Sequence, residues 1–416
     1  MKKIFKIVLI AIFTISTISA NNLEINEDEL IVKALFYSQN ENPKEASKIW
    51  KELFEETNNQ KYLVEYFYAL LAYKDIKDVI KELKQTLDKK KNKELYELLA
   101  NLYTKEGDAD GLMQTYENLS IDDTDAMYDL AYLYTIKNKD KKALAIYKKI
   151  YKENKSWDAL KGILSILAKE KKIKEASNVL WKAIYAKNNK MPKEAYLVYI
   201  GLIDYKKNTD KALYAYKKLF AMTKDRKYIK QLISLFLYKK DYDSIITLLQ
   251  ATRYDDKLLY ELYLSKHKMV KAYKVLNRLI KEDSKNPKWY AEKAILTYEI
   301  TQSYKAVDDN VIKRVSKLFD KAIKKGAKDS SYYNYYGYTL IDYDKDVKKG
   351  INLVKKALKE EPDNIYYLDS LAWGYYKLHQ CKKAKDIMKK IKRIEAKNLE
   401  DDIIEHEKKI LNCKEK

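Results

Sequence analysis

The chain has 416 residues, of which 8 are Gly and 4 are Pro. So few turn formers exclude an all-β fold, whose many tight turns consume both. The formal net charge is +22, yet only Arg226, Arg253, Arg278, Arg314 and Arg393 among the 83 basic residues are arginine. That argues against a nucleic-acid reader, which leans on guanidinium forks for bidentate contacts.

The first twenty residues read as a secretory signal peptide. Lys2, Lys3 and Lys6 precede an apolar run from Ile7 to Ile18, and Ile18-Ser19-Ala20 offers small residues for cleavage. Twelve apolar residues rise about 18 Å as a helix, short of the roughly 30 Å of hydrocarbon. Cleavage after Ala20 is therefore expected. The predicted destination is the periplasm or the outside, with no transmembrane span in the mature chain.

From about Leu30 onward one pattern recurs. A small or aliphatic residue is expected mid-way along each second helix of a pair: Ala46, Val79, Leu112, Ala143, Ala176, Ala212, Ile245, Ala272, Val315, Gly350 and Ala384. Their separations centre on about 34 residues, the period of a helix-turn-helix repeat. "LANLYTKEGDADGLMQTY" supplies Ala100, Tyr103, Gly107, Leu112 and Tyr116, and "LAYLYTIKNKDKKALAIY" supplies Ala131, Tyr134, Ala143 and Tyr147. "LAWGYYKLHQCKKAKDIM" adds Ala372, Tyr375, Ala384 and Met388, and "VKALFYSQNENPKEASKIW" adds Ala34, Tyr37, Ala46 and Trp50. Gly337, Ala357 and Pro362 fill the small, small and proline positions of a further repeat.

These stretches resemble the tetratricopeptide repeat, as exported bacterial proteins carry it. The resemblance runs from Leu30 to Ile391 and is strongest at the C-terminal end. It implies an all-α, right-handed superhelical solenoid of helix pairs with a C-terminal capping helix. The segments are 1–20 signal peptide, 21–280 divergent repeats, 281–398 well-matched repeats and 399–416 cap. Two separations depart from the family, 27 residues before Ala272 and 43 after it. Residues 299–310, "EITQSYKAVDDN", read as an insertion between helices.

By their place in the repeat, Tyr333, Tyr336, Leu340, Leu371 and Tyr375 are expected in the core. Gly337 and Ala372 are expected at helix crossings, facing Ala357 and Ala384. The family's groove offsets place Asn334, Tyr338, Ile341 and Asp342 on the concave wall. They place Tyr366, Asp369, Trp373, Tyr376 and Lys377 there from the next repeat, and Tyr128, Tyr132 and Thr135 earlier. Rings interleaved with Asn, Asp and Lys suit a wall that binds a peptide.

Cys381 and Cys413 are the only cysteines. Cys381 opens the last second helix, and a helix from about Glu400 to Leu411 follows, with Ile403, Ile404 and Ile410 on one side. Consecutive antiparallel helices bring the start of one beside the end of the next. A Cys381–Cys413 disulfide is therefore expected, stabilising by roughly 3–4 kcal/mol in the chain-entropy model. A zinc site of His379, Cys381, His406 and Cys413 has suitable residue types but unsuitable spacing, since His406 and Cys413 are seven apart. His267 is isolated.

No nucleophile, metalloprotease, Walker or dinucleotide motif occurs, and three histidines leave little for general-base catalysis. The expected function is a non-enzymatic, cofactor-free exported scaffold. It holds a protein or peptide segment in a cell-envelope assembly: outer-membrane biogenesis, a pilus or a flagellar motor. The other reading is an anionic-glycan or cell-wall binder that uses the aromatic groove and the positive charge.

Overall fold

The computed structural model describes residues 26–119, 123–187, 190–395 and 398–414, so the leader expected at 1–20 lies outside the described residues. The chain forms two compact units, one ending at Tyr205 and one beginning at Lys206. The described residues hold twenty-three α-helices and no strand. None of these helices is long and apolar enough to cross a membrane.

The first unit carries α1 (Glu27–Gln39), α2 (Pro43–Thr57), α3 (Gln60–Leu71) and α4 (Ile76–Lys89). It continues through α5 (Lys93–Glu106), α6 (Ala109–Leu119), α7 (Thr124–Ile136) and α8 (Asp140–Asn154). It ends with α9 (Trp157–Lys169), α10 (Ile173–Tyr185) and α11 (Lys193–Leu202). The second unit opens with α12 (Thr209–Thr223), α13 (Lys227–Tyr238), α14 (Tyr242–Thr252) and α15 (Asp256–Ser265). Next come α16 (Met269–Glu282), α17 (Pro287–Ser303), α18 (Asp309–Lys324) and α19 (Ser330–Asp342). Finally come α20 (Val347–Glu360), α21 (Ile365–Lys377), α22 (Cys381–Ile394) and α23 (Asp401–Leu411).

Every residue of the recurring series falls on an even-numbered helix. Ten of the eleven are buried and Leu112 is partly so. They sit not mid-helix but at its fourth residue, one turn past the cap, and at Gly350 the two backbones of the hairpin are in close contact. Val315 is the exception, at the seventh residue of α18. Gly337 also differs from expectation. It faces Gly350 and Val354 on α20, not Ala357.

Asparagine, aspartate and serine do the punctuation that Gly and Pro do elsewhere. Asn42, Asn59, Asp75, Asn92, Asp123, Ser156, Asp241, Asp255, Asn286, Asp308, Asp329, Asp346 and Asn364 each cap a helix N-terminus through the side chain. Inside most hairpins one residue adopts the left-handed conformation. In most of them it is not glycine: Gly107 serves once, but Glu41, Asn138, Lys171, Lys240, His267, Lys305, Asp344 and His379 elsewhere, and among the described residues the α3–α4 and α11–α12 connections have none. His267 thus has a local backbone role.

The divergent zone is regular. Residues 227–282 fold into α13–α16, and the 27-residue separation arises because α14 has 11 residues and α15 has 10. Motif divergence there changes side chains without interrupting hairpins. The stretch at 299–310 is not an inserted loop. Residues 299–303 extend α17 and residues 309–310 begin α18. Within α17, Tyr298 packs against Tyr335 and Tyr343, with ring centroids 5.9 and 6.0 Å apart.

Tyrosine fills the layer between helices, ring inside and hydroxyl on a polar neighbour. Tyr332 donates to Glu292 at 2.9 Å, Tyr333 to the Ala327 carbonyl at 3.0 Å, Tyr335 to Glu299 at 2.5 Å and Tyr336 to Asp320 at 3.0 Å. Tyr336, Leu340 and Leu371 are buried, and Tyr333 and Tyr375 are half-buried.

This has a consequence at high pH. Burial pushes the Tyr116, Tyr134 and Tyr199 phenols up to about 12 from the ordinary 10.0, assisted at Tyr116 by Asp129 and at Tyr134 by Glu117. Burial raises Tyr66, Tyr260, Tyr332 and Tyr335 further. A raised phenol favours the folded state fully below the unfolded value of 10.0, and that contribution is lost as pH rises through the folded value. The phenolate absorbance of the buried tyrosines should therefore appear together with loss of helix content, above pH 10. Independent titration of all the tyrosines near pH 10, with helix retained, would contradict this packing.

Candidate functional site

The expected groove residues at the C-terminal end lie on α19 and α21, and the two helices are tied together there. The Trp373 indole donates to Asp342 Oδ1 at 3.0 Å. Lys377 donates to the Asp342 carbonyl at 3.1 Å and to Asp344 at 2.7 Å. Tyr376 stacks on Trp373 with centroids 4.8 Å apart. Ile341 is fully buried in the core and leaves the wall altogether.

The chain's own last helix covers this wall. α23 packs on both α21 and α22. Ile403 and Ile410 enter a cluster with Leu368, Ala372, Ala384, Met388 and Ile391. Ile404, expected beside them, is half-exposed. Between the two buried isoleucines, His406 lies flat on Trp373, centroids 4.1 Å apart and planes 12° apart. Its Nδ1 is 2.8 Å from Asp369 Oδ2. Trp373 is 5% exposed and Asp369 6%, so neither presents a free surface in this arrangement. Burial pushes the Asp369 carboxyl up, with His406 opposing. Its Oδ1 has no hydrogen-bond partner.

The other residues of the patch are dispersed. Tyr338 is half-buried, 6.1 Å from His406 centroid to centroid, and burial raises its phenol. Asn334 is half-buried, with an Oδ1 that accepts nothing. Tyr366 is 47% exposed and donates to Glu400 at 2.9 Å. His406 carried no signal as a packing residue. Only its spacing between Ile403 and Ile410, three and four residues apart, could have placed it on the apolar side of α23.

Cys381 and Cys413 are joined, with Cα atoms 5.6 Å apart. The bond fastens the residues just past α23 to the start of α22. His406 faces Trp373 and Asp369, so the four residues considered for zinc do not converge.

The first unit shows a different surface. Twelve residues before each recurring small residue lies a buried position on the first helix of the pair, and the residue after it is exposed. In chain order those exposed residues are Leu35, Tyr68, Asn101, Tyr132 and Ser165, on α1, α3, α5, α7 and α9. Leu35 is 46% exposed, Tyr68 54% and Tyr132 61%. Ile136, four residues after Tyr132 on the same helix, is also exposed. Of the earlier expectations, Tyr132 belongs to this row. Tyr128 is half-buried and donates to Ser156 at 2.7 Å, and Thr135 bonds back to the Ala131 carbonyl. Leu35 and Tyr68 occupy the same register but were missed; Tyr68 follows Phe67, where the motif has a small residue.

Each unit is an array of consecutive helical hairpins. No protein-family model matches the chain, and no curated protein does. Solved structures overlap it loosely. Naa15/Naa10 bound to HypK-THB aligns at 13% identity and a TM-score of 0.35, covering 89% of this chain and 64% of that one. This chain thus spans just under two thirds of that neighbour's length. YrrB, described as a tetratricopeptide protein with an unusual peptide-binding site, aligns at 12% identity and a TM-score of 0.37, covering 47% and 98%. A tetratricopeptide repeat protein from Parabacteroides merdae aligns at 14% identity and a TM-score of 0.29, covering 76% and 98%.

Proposed function

We propose that this chain is a non-enzymatic scaffold that holds a protein or peptide segment on the inner faces of its hairpin arrays. The observation that carries this is the row Leu35, Tyr68, Asn101, Tyr132 and Ser165. Apolar and aromatic side chains stand exposed at one register position of successive first helices, with polar groups between them. Rigid rings supply contact area at low entropic cost, and polar side chains set register. The scaffold works in the cell envelope, exported by the leader at 1–20. The Cys381–Cys413 bond supports an oxidising compartment. Outer-membrane biogenesis, a pilus and a flagellar motor are the assemblies this reading admits.

A photoreactive residue placed at Tyr68, Tyr132 or Tyr366 in living cells should capture one common protein. The same residue at Tyr304, exposed in a loop, should not. The complex should persist at moderate ionic strength, because its contacts are mainly apolar. Loss of all binding on modest salt addition would point to lysine-driven attachment to an anionic glycan instead. Equal labelling at Tyr304 and the three wall positions would end the proposal.

A further inference from the structure

We propose that α23 is a displaceable cover over a helix-binding wall, and that the Cys381–Cys413 disulfide holds it closed. The wall is made of Asp342 on α19 and of Leu368, Asp369, Ala372 and Trp373 on α21. This rests on the reading of the inner faces as binding surfaces and adds the kind of partner one of them takes.

Several features mark α23 as weakly held apart from its tether. It has 11 residues, and only Ile403, His406 and Ile410 are buried. Helices this short are marginal alone and need their docked face. The docked face is itself imperfect, because Asp369 Oδ1 lies buried beneath α23 without a hydrogen bond. Such segments belong to the low-stability end of a structure and open locally. What opposes opening is the small docked face, the Tyr366–Glu400 and Lys392–Glu407 contacts, and the covalent tether. With α22 in place, the bond at Cys413 limits how far the end of α23 can move from Cys381.

Cleavage needs a dithiol reductant. One of its thiolates attacks the Cys413 sulfur, which is half-exposed where Cys381 is buried, and displaces the Cys381 thiolate. The second thiol of the reductant then closes its own disulfide and releases the Cys413 thiolate. Two protons complete the pair of protein thiols.

α23 also shows what an incoming segment must look like. It is an amphipathic helix with a branched apolar residue, a flat ring three positions later to stack on Trp373 and reach Asp369, and a second branched residue four positions beyond. A partner of this pattern competes with α23 for one surface.

The test uses the full chain, whose two cysteines make a dithiol act at this bond alone. Hydrogen exchange at the amides of residues 401–411 should speed up on the order of 10²-fold on reduction, the scale of the lost loop constraint. A labelled synthetic peptide of residues 399–412 should bind the reduced chain and leave the oxidised chain essentially free. Cys413→Ser should behave as the reduced chain without reductant, with its remaining helices intact. Unchanged exchange after reduction overturns the proposal, as does a peptide that binds both redox forms equally or neither. Those failures would leave crosslinking at Tyr68 and Tyr132 untouched, whereas failed crosslinking there would not alter the exchange behaviour of α23.

Discussion

Gly350→Ala should destabilise the second unit by about 2–3 kcal/mol, near the top of the range for overpacking a core. A Cβ on Gly350 would lie 2.7 Å from the Gly337 carbonyl oxygen and 2.7 Å from Ile341 Cγ1. A Cβ on Gly337 would lie 2.7 Å from the Gly350 carbonyl oxygen. The obstacle in each case is backbone, which cannot rotate aside as a side chain can. α19 and α20 must therefore separate, and Tyr336, Leu340 and Val354 lose packing along the hairpin. Gly201→Ala supplies the control. Gly201 lies in α11, and an added Cβ meets nothing within 4 Å. That change should stabilise by about 0.5–1 kcal/mol through helix propensity alone. Urea unfolding of the two variants should move the midpoint in opposite directions. A Gly350→Ala protein as stable as the parent would mean that the two backbones are not in contact.

Arg278→Met should cost about 2–4 kcal/mol, an effect of comparable size. Arg278 grips Asp256 with two bonds of 2.6 Å, from Nε and Nη2 to separate carboxylate oxygens. The Asp256 side chain is 7% exposed and that of Arg278 34%. Removing the guanidinium leaves a carboxylate in a site from which water is largely excluded, the expensive way to break such a pair. The partial exposure of Arg278 keeps the figure below the upper end for a fully buried pair. Methionine retains most of the stem, so lost packing contributes little. Adding Asp256→Asn to Arg278→Met should recover much of the loss, because no charge then remains to be solvated. A double-mutant cycle in urea measures this coupling. Additive losses would show that the two side chains act separately.

Much of the hairpin array was legible in the residues alone, for a local reason. An α-helix repeats every 3.6 residues, and a hairpin closes most tightly where a small side chain lets two backbones approach. Ala46, Ala143 and Ala384 therefore carry their structural role in their identity and spacing. The pairing of Cys381 with Cys413 was legible for a related reason, since antiparallel neighbours bring one helix start to the next helix end. The lengthened α17 was not legible. Residues 299–310 are polar enough to read as a loop, yet residues 299–303 continue α17 and Glu299 accepts from Tyr335 on α19.

Residue identity and spacing by themselves determined an all-helical chain, the positions of its hairpins and the close contacts within each. Which of the wall residues stay open was decided only by tertiary structure. Trp373 and Asp369 have the pattern of a binding wall but lie under α23, whereas Leu35 and Tyr68 were not expected on a wall and stand exposed. The reason is distance along the chain. A helix's own period sets the direction of each side chain, but burial depends on what arrives from elsewhere. The segment that covers Trp373 begins more than twenty residues later, with a side chain, His406, whose fit is apparent only against the ring it meets.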